Sequence, residues 1–398
     1  MRRLLYAVLG VTVGLVAGGG AVLLAGATPS TSTSSTSTSR PEASTTPSTS
    51  PSTTEAASSP SILLVWTPGG LPAGFADHLE ELAGVSTVSV VSTDLVALTE
   101  TREGKGVVVD SPEEDLVIPV EVSALDEAFA ELAPAEWHSQ LSSLTEGEAL
   151  LTETSATVRR FGVGAALMMG GREWRVTAVL PDIVLGGAEV AVSAGASQAI
   201  GVTTERYALV DFTGDRTEFE GWVRDLLPAD LPVRIRAPGE TPFLRNGDAV
   251  LPQVMIKEAF GEFAIRWEGG SEFEIAPNWV AANLVTEEVP LIGNTTCHAA
   301  MMPSLHGAMT ELEQANLNFL VASYHGCFNP RFIAGTHSLS RHAWGVAVDI
   351  NYTANVTGQT TTQDARLVET MERWGFTWGG NWLIPDAAHF EWVAPPTP

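Results

Sequence analysis

Ser340-Arg341-His342-Ala343-Trp344-Gly345-Val346-Ala347-Val348-Asp349-Ile350 places an imidazole just ahead of a short alternating segment that carries a carboxylate. Strand alternation puts Val346, Val348 and Ile350 on one face and Ala347 with Asp349 on the other. The small residues Gly345 and Ala347 leave room above the second face, and His342 can fold back toward it. A second run, Asp386-Ala387-Ala388-His389-Phe390-Glu391-Trp392, follows with His389 forty residues after Asp349. Alternation here sets His389 and Glu391 on one side and Phe390 with Trp392 on the other. Two imidazoles and one carboxylate make a three-ligand set for a catalytic Zn²⁺ that keeps a position for water, with the carboxylate of Asp386 close by.

The combination S-x-H-x-x-G-x-A-x-D, then Trp378-Gly379-Gly380, then D-x-x-H-F-E-W resembles the zinc D-alanyl-D-alanine carboxypeptidase and L-alanyl-D-glutamate peptidase family of peptidoglycan enzymes, which includes the vancomycin-resistance peptidases. The resemblance covers roughly 253–392. It implies His342, Asp349 and His389 as zinc ligands and Asp386 as the general base that takes a proton from the attacking water. Members carry Glu or Asp at that position, and the Asp here is similar to the endopeptidase branch. The resemblance also implies an arginine ahead of the first ligand, a place that Arg331 in Asn329-Pro330-Arg331 fits. A guanidinium there would hold the substrate carbonyl or carboxylate. The stretch Thr336-His337-Ser338-Leu339 between Arg331 and the motif departs from the family pattern. Ser340 and Glu391 read as residues that support the ligands or touch substrate, Glu391 by orienting an imidazole.

Cys297 and Cys327 are the only cysteines. An even count in an exported chain points to a disulfide, worth on the order of 3–4 kcal/mol for a loop of about thirty residues. The alternative, a second metal site from Cys297-His298 and His325-Gly326-Cys327, lacks a C-x-x-C pair. Isolated imidazoles such as His298, His306 and His337 read as surface or satisfied core residues. Trp374, Trp378 and Trp382 read as packing before sugar stacking.

Farther out, the chain carries 21 basic against 47 acidic side chains, a net charge of −26 that argues against a polyanion such as nucleic acid as partner. Met1-Arg2-Arg3 precedes an uncharged apolar stretch from Leu4 to Ala27, longer than the roughly 7–15 residues of a signal-peptide core. Residues 1–27 therefore read as a retained single-pass anchor, with a signal peptide cut after Ala25-Gly26-Ala27 as the alternative. No cysteine lies near for lipid attachment. Residues 28–60 are almost all Ser, Thr and Pro and read as a disordered spacer in the cell envelope.

Residues 61–240 turn to β-branched runs broken by Gly, Pro and Asp, and read as an α+β extracytoplasmic domain. Ile62–Trp66, Ser86–Val91, Val107–Val109 and Trp174–Leu180 are expected as strands, Gly74–Ala83 and Arg216–Leu227 as helices, and Met168–Glu173 as a hairpin turn. The run from Glu148 through Arg159-Arg160-Phe161-Gly162-Val163-Gly164 to Asp182 resembles the extracytoplasmic domain of FtsX-type and macrolide-exporter-type permeases. That resemblance implies a domain that positions or contacts a protein partner. The alternative is a plain α+β spacer.

Residues 241–398 hold six of the eight His and seven of the eleven Trp, so the chemistry is assigned there. Gln253–Lys257 and Gly345–Asn351 are expected as strands, Ser304–Tyr324 as one long helix, and Arg366–Trp374 as a helix stopped at Gly375. The fold class is α+β: a C-terminal zinc peptidase domain with a small antiparallel sheet flanked by helices, preceded by a separate α+β domain. The expected function is zinc-dependent hydrolysis of an amide bond in a peptidoglycan stem peptide. Two rivals are a non-catalytic wall-binding scaffold and an unrelated zinc hydrolase acting on secreted proteins or small peptides.

Overall fold

The computed structural model describes residues 61–393 apart from 105, 114, 335 and 337. The proposed anchor and spacer lie outside the described residues. Among the described residues no helix is long and apolar enough to cross a membrane. The architecture is α+β, in two halves with separate sheets, and the described residues belong to one compact unit.

The first half is built on ten strands: β1 (Ser61–Trp66), β2 (Val85–Arg102), β3 (Val108–Asp110), β4 (Ile118–Leu125), β5 (Glu148–Thr152), β6 (Ala166–Met169), β7 (Arg172–Leu180), β8 (Val190–Ser193), β9 (Glu205–Phe212) and β10 (Arg234–Arg236). Their order is β10-β1-β9-β2-β4-β8-β5-β7-β6, with β3 on β2. The sheet curls back on itself because the long β2 pairs with β9 and β4 along its length and with β6 near its end. Val96, Val120, Val122, Leu151, Leu167, Trp174 and Val190 fill the enclosed space. Gly170 and Gly171, both at positive φ, make the expected two-residue turn between β6 and β7. The helices are shorter than the pattern predicts, Phe75–Glu80 and Arg216–Asp225, and Asp215 caps the second by accepting from the Glu218 N–H at 3.0 Å.

The second half holds three small sheets: β11 (Ile265–Arg266) on β12 (Glu274–Ile275), β13 (Leu284–Val289) on β14 (Gly293–His298), and a three-stranded sheet of β15 (Ala347–Asp349), β16 (Phe376–Trp378) and β17 (His389–Trp392) in the order β15-β17-β16. Two expectations are corrected here. Gln253–Lys257 is not a strand but the start of helix Gln253–Phe260. The long helix ends at Gln314: Asn316 turns to φ 59°, its N–H bonds Glu313 O, and the Leu317 N–H bonds Leu312 O at 2.8 Å, a helix stop with a left-handed Asn at its end. The expected strand at Gly345–Asn351 narrows to β15, and Ala365–Arg373 forms the last helix, with Gly375 at φ 86° after it.

The halves share a buried ionic joint. Arg159 and Lys257 face Glu189 and Glu262: Arg159 Nη2 reaches Glu189 at 2.5 Å and Glu262 at 2.6 Å, and Lys257 Nζ reaches each at 2.8 Å. Gln253 Nε2 donates to the other oxygen of Glu189 at 2.6 Å and Lys257 Nζ donates to Pro119 O at 2.7 Å. Burial works against charge on Glu189, but the two cations hold its carboxyl well below the usual range. Four charges are tolerable out of water only while all are paired. Lys257→Met should therefore lower stability by about 3–5 kcal/mol, read as a reduced urea midpoint, because it strands carboxylate charge in the interior. A loss below about 1 kcal/mol would show that the joint contributes little.

Candidate active site

The register of the three-stranded sheet brings the two motif runs together. Asp349 of β15 stands directly opposite His389 of β17, and Ala347 opposite Glu391. His342 comes from the 3₁₀ turn Arg341–Trp344 just before β15, capped by Ser340, whose Oγ accepts from the His342 N–H. Gly345 then turns the chain at φ 66°, where an added Cβ would lie 2.8 Å from the His298 backbone nitrogen, so only glycine lets His342 fold back.

Three ligand-type atoms converge. His342 Nε2 lies 3.2 Å from His389 Nδ1 and 3.2 Å from Asp349 Oδ1, and His389 Nδ1 lies 3.0 Å from the same oxygen. The far side of each ring is engaged. His342 Nδ1 is 2.7 Å from Cys327 O, which can only accept, and His389 Nε2 is 3.3 Å from Glu391 Oε1. Those outward bonds place a proton on each outer nitrogen and turn each inner lone pair toward Asp349. Three acceptors facing one point need a cation or a proton between them. His342, Asp349 and His389 thus fit a divalent metal, and they form a group of candidate ligand atoms within 4.8 Å of one another.

Without a metal the cluster holds a proton. Burial opposes charge on His389, but hydrogen bonds to Asp349 and Glu391 raise its pKa to about 10. Burial likewise opposes charge on Asp349, yet His342 and His389 hold its carboxyl far below the ordinary range. Glu391, also buried, is kept ionised by His389 and by the Arg341 charge.

Asp386 is not part of the ligand cluster. It precedes β17 in a turn where its carbonyl accepts from the His389 N–H at 3.0 Å, and its pKa is raised by burial and by the nearby Asp349 charge. Arg331 lines the same cleft as Asp349 and Asp386. Its carbonyl accepts from the Ser340 N–H at 3.1 Å, which ties the Arg331 segment to the motif across the intervening stretch. Within that stretch His337 and Gly335 lie outside the described residues.

Cys297 and Cys327 are joined by a disulfide, which removes the second-metal alternative. Its second cysteine supplies the carbonyl that orients His342, a link that spacing alone does not reveal. Trp374 packs with its indole on Glu311 and Trp378 on Ala387 O, as expected of packing residues. Trp382 packs its ring 5.3 Å from that of His389 and also lines the cleft.

Residues 334–392 match the model of a family described as D-alanyl-D-alanine carboxypeptidase. No curated protein matches the chain. Two solved structures are similar to it. One is the periplasmic region of MacB from Actinobacillus actinomycetemcomitans, 11% identical, covering 44% of this chain and 88% of that chain with a TM-score of 0.31. The other is the extracellular domain of the noncanonic ABC-type transporter YknZ from Gram-positive bacteria, 12% identical, covering 44% of this chain and 98% of that chain with a TM-score of 0.29.

Proposed function

We propose that the chain is a zinc-dependent, extracytoplasmic peptidase that hydrolyses an amide bond in peptidoglycan stem peptides. The observation that carries this reading is the convergence of His342, Asp349 and His389 beside an independent carboxylate, Asp386, inside the segment that matches the carboxypeptidase family. His342, Asp349 and His389 would hold the zinc, which when bound supplies Lewis acidity and an acidified water. Asp386 accepts a proton from the attacking water and returns it to the leaving amine, a task that suits a carboxylate whose pKa is raised. Arg331 holds the substrate carbonyl or carboxylate through charge-assisted hydrogen bonds. Glu391 and the Cys327 carbonyl keep the two rings in the ligating tautomer.

The disulfide fits an oxidising compartment, in line with an anchor at 1–27 and a spacer at 28–60 that present residues 61–240 and the catalytic residues 241–398 in the envelope. In this reading 61–240 is also the part available to a protein partner. Hydrolysis of a peptide ending in D-alanyl-D-alanine, or of its cross-linked form, should stop on chelation and return with one equivalent of zinc. A rate indifferent to chelator would count against the metal.

Proton linkage gives a second check. His389 with its raised pKa binds a proton below about pH 10 in the metal-free protein, and ligation requires that proton to leave. Acid therefore opposes binding, and apparent zinc affinity should rise about tenfold per pH unit between about pH 6 and 8. Calorimetry in buffers of different ionisation enthalpy should report about one proton released per zinc. A pH-independent affinity would contradict the ligand set.

A further inference from the structure

We infer that, given the peptidase reading above, the N-terminal half is part of the substrate site: the turn Trp66–Gly70 and Arg206 form a wall of the catalytic cleft, and Arg206 reads a carboxylate of the peptide remote from the bond that is cut. The cleft of about 900 Å³ that holds Asp349, Asp386 and Arg331 is also lined by this turn and by Arg206 of β9. That volume is near the top of the roughly 300–1,000 Å³ range of ligand pockets, enough for an extended peptide.

The wall is built rather than incidental. The turn is closed by the Gly70 N–H on Thr67 O at 3.2 Å and fastened to the strand beside it by the Leu71 N–H on Glu205 O at 2.8 Å. The Arg206 side chain is 13% exposed, with Nε donating to Thr93 O at 2.8 Å and Nη2 to Asp94 Oδ1 at 2.9 Å. Asp94 is itself held by the Thr203 and Thr204 N–H groups and the Thr204 hydroxyl. The remaining nitrogen, Nη1, has no partner among the described residues. A guanidinium fixed on two edges with the third open suits a carboxylate.

The wall and the catalytic carboxylate are also locked in register. Asp248, whose side chain is 7% exposed, accepts from Arg234 and Arg236 of β10 with one oxygen and from the Leu383 N–H at 2.6 Å with the other. Leu383 packs on the first-half core that contains Leu64, Trp66 and Tyr207. The segment leading to Asp386 is thereby pinned to the first half. On a chain of net charge −26, the arginines of this cleft come one from each half, Arg206 and Arg331. A ligand that satisfies both offers a carboxylate to Arg206 and a carbonyl or second carboxylate to Arg331.

The test is calorimetric binding to the zinc-loaded full chain carrying Asp386→Asn, so that nothing turns over. The probes are N-acetyl-L-alanyl-γ-D-glutamyl-L-lysyl-D-alanyl-D-alanine with the glutamyl α-carboxyl free or amidated. The free acid should bind about tenfold more tightly than the amide, the worth of one charge-assisted hydrogen bond. Adding Arg206→Gln, or Pro68→Glu in the same wall, should shrink the ratio of free-acid to amide affinity to within about twofold, whereas Arg206→Lys keeps part of it. Pro68→Glu disturbs no hydrogen bond of Arg206, so it decides the matter if Arg206→Gln fails to fold. Equal binding of both probes by the unaltered wall, or a preference that survives both variants, overturns the assignment of Arg206 and leaves the peptidase reading standing. Binding of neither probe overturns both.

Discussion

His342→Ala and His389→Ala should each reduce the zinc content of the purified full chain from one equivalent to background and remove hydrolysis with it. Each ring contributes one inner lone pair, and its outer nitrogen is committed to Cys327 O or Glu391. Removing either leaves two donors, too few to replace the hydration of a divalent ion. Glu391→Gln makes the contrast: it loses an orienting partner and not a ligand, so affinity should fall by about 10–100-fold. Plasma mass spectrometry of dialysed protein reads all three. Full zinc occupancy in either alanine variant would sink the ligand assignment.

Asp386→Asn should separate chemistry from binding. The amide keeps the shape of the carboxylate but cannot accept a proton. Zinc content and thermal stability should survive while turnover falls by about 10²–10⁴-fold, the usual worth of a positioned general base. Unchanged turnover would transfer the role to another residue, with Glu391 the first suspect. Lost zinc would make Asp386 a ligand and require a new role for Asp349.

The convergence of His342, Asp349 and His389 is legible in sequence because its geometry is local. A period-two strand separates Asp349 from Val348 and Ile350, and the His389/Phe390 alternation does the same on the facing strand, so face assignment alone aims the ligand residues. Gln253–Lys257 is a helix that its sequence pattern disguises as a strand. Val254 and Ile256 alternate like a strand, but burial of Gln253 and Lys257, one helical turn apart, against Glu189 makes the segment a helix. The stop after Gln314 has one local signal, Asn316 in a left-handed position. What local pattern cannot carry is long-range pairing. The contacts of Glu189 with Lys257, of Asp248 with Leu383, and of Arg206 with the cleft join residues separated by tens to well over a hundred positions, and no period links them.

The burial of Lys257 against Glu189 and of Asp248 against Arg236 makes the two halves depend on each other. A fragment starting near 241 would lose Arg159, Glu189 and Arg236, leaving buried charge without partners. The full chain is the form to assay.

The most direct measurement is digestion of purified peptidoglycan by the zinc-loaded full chain, with the products identified by mass spectrometry and Asp386→Asn run in parallel. The account predicts stem peptides gaining one water per cut, with new termini beside a D-amino acid. These should be absent after chelation and strongly reduced in Asp386→Asn. Intact peptidoglycan in the presence of stoichiometric zinc, or the same products from the Asp386→Asn protein at an undiminished rate, would contradict it.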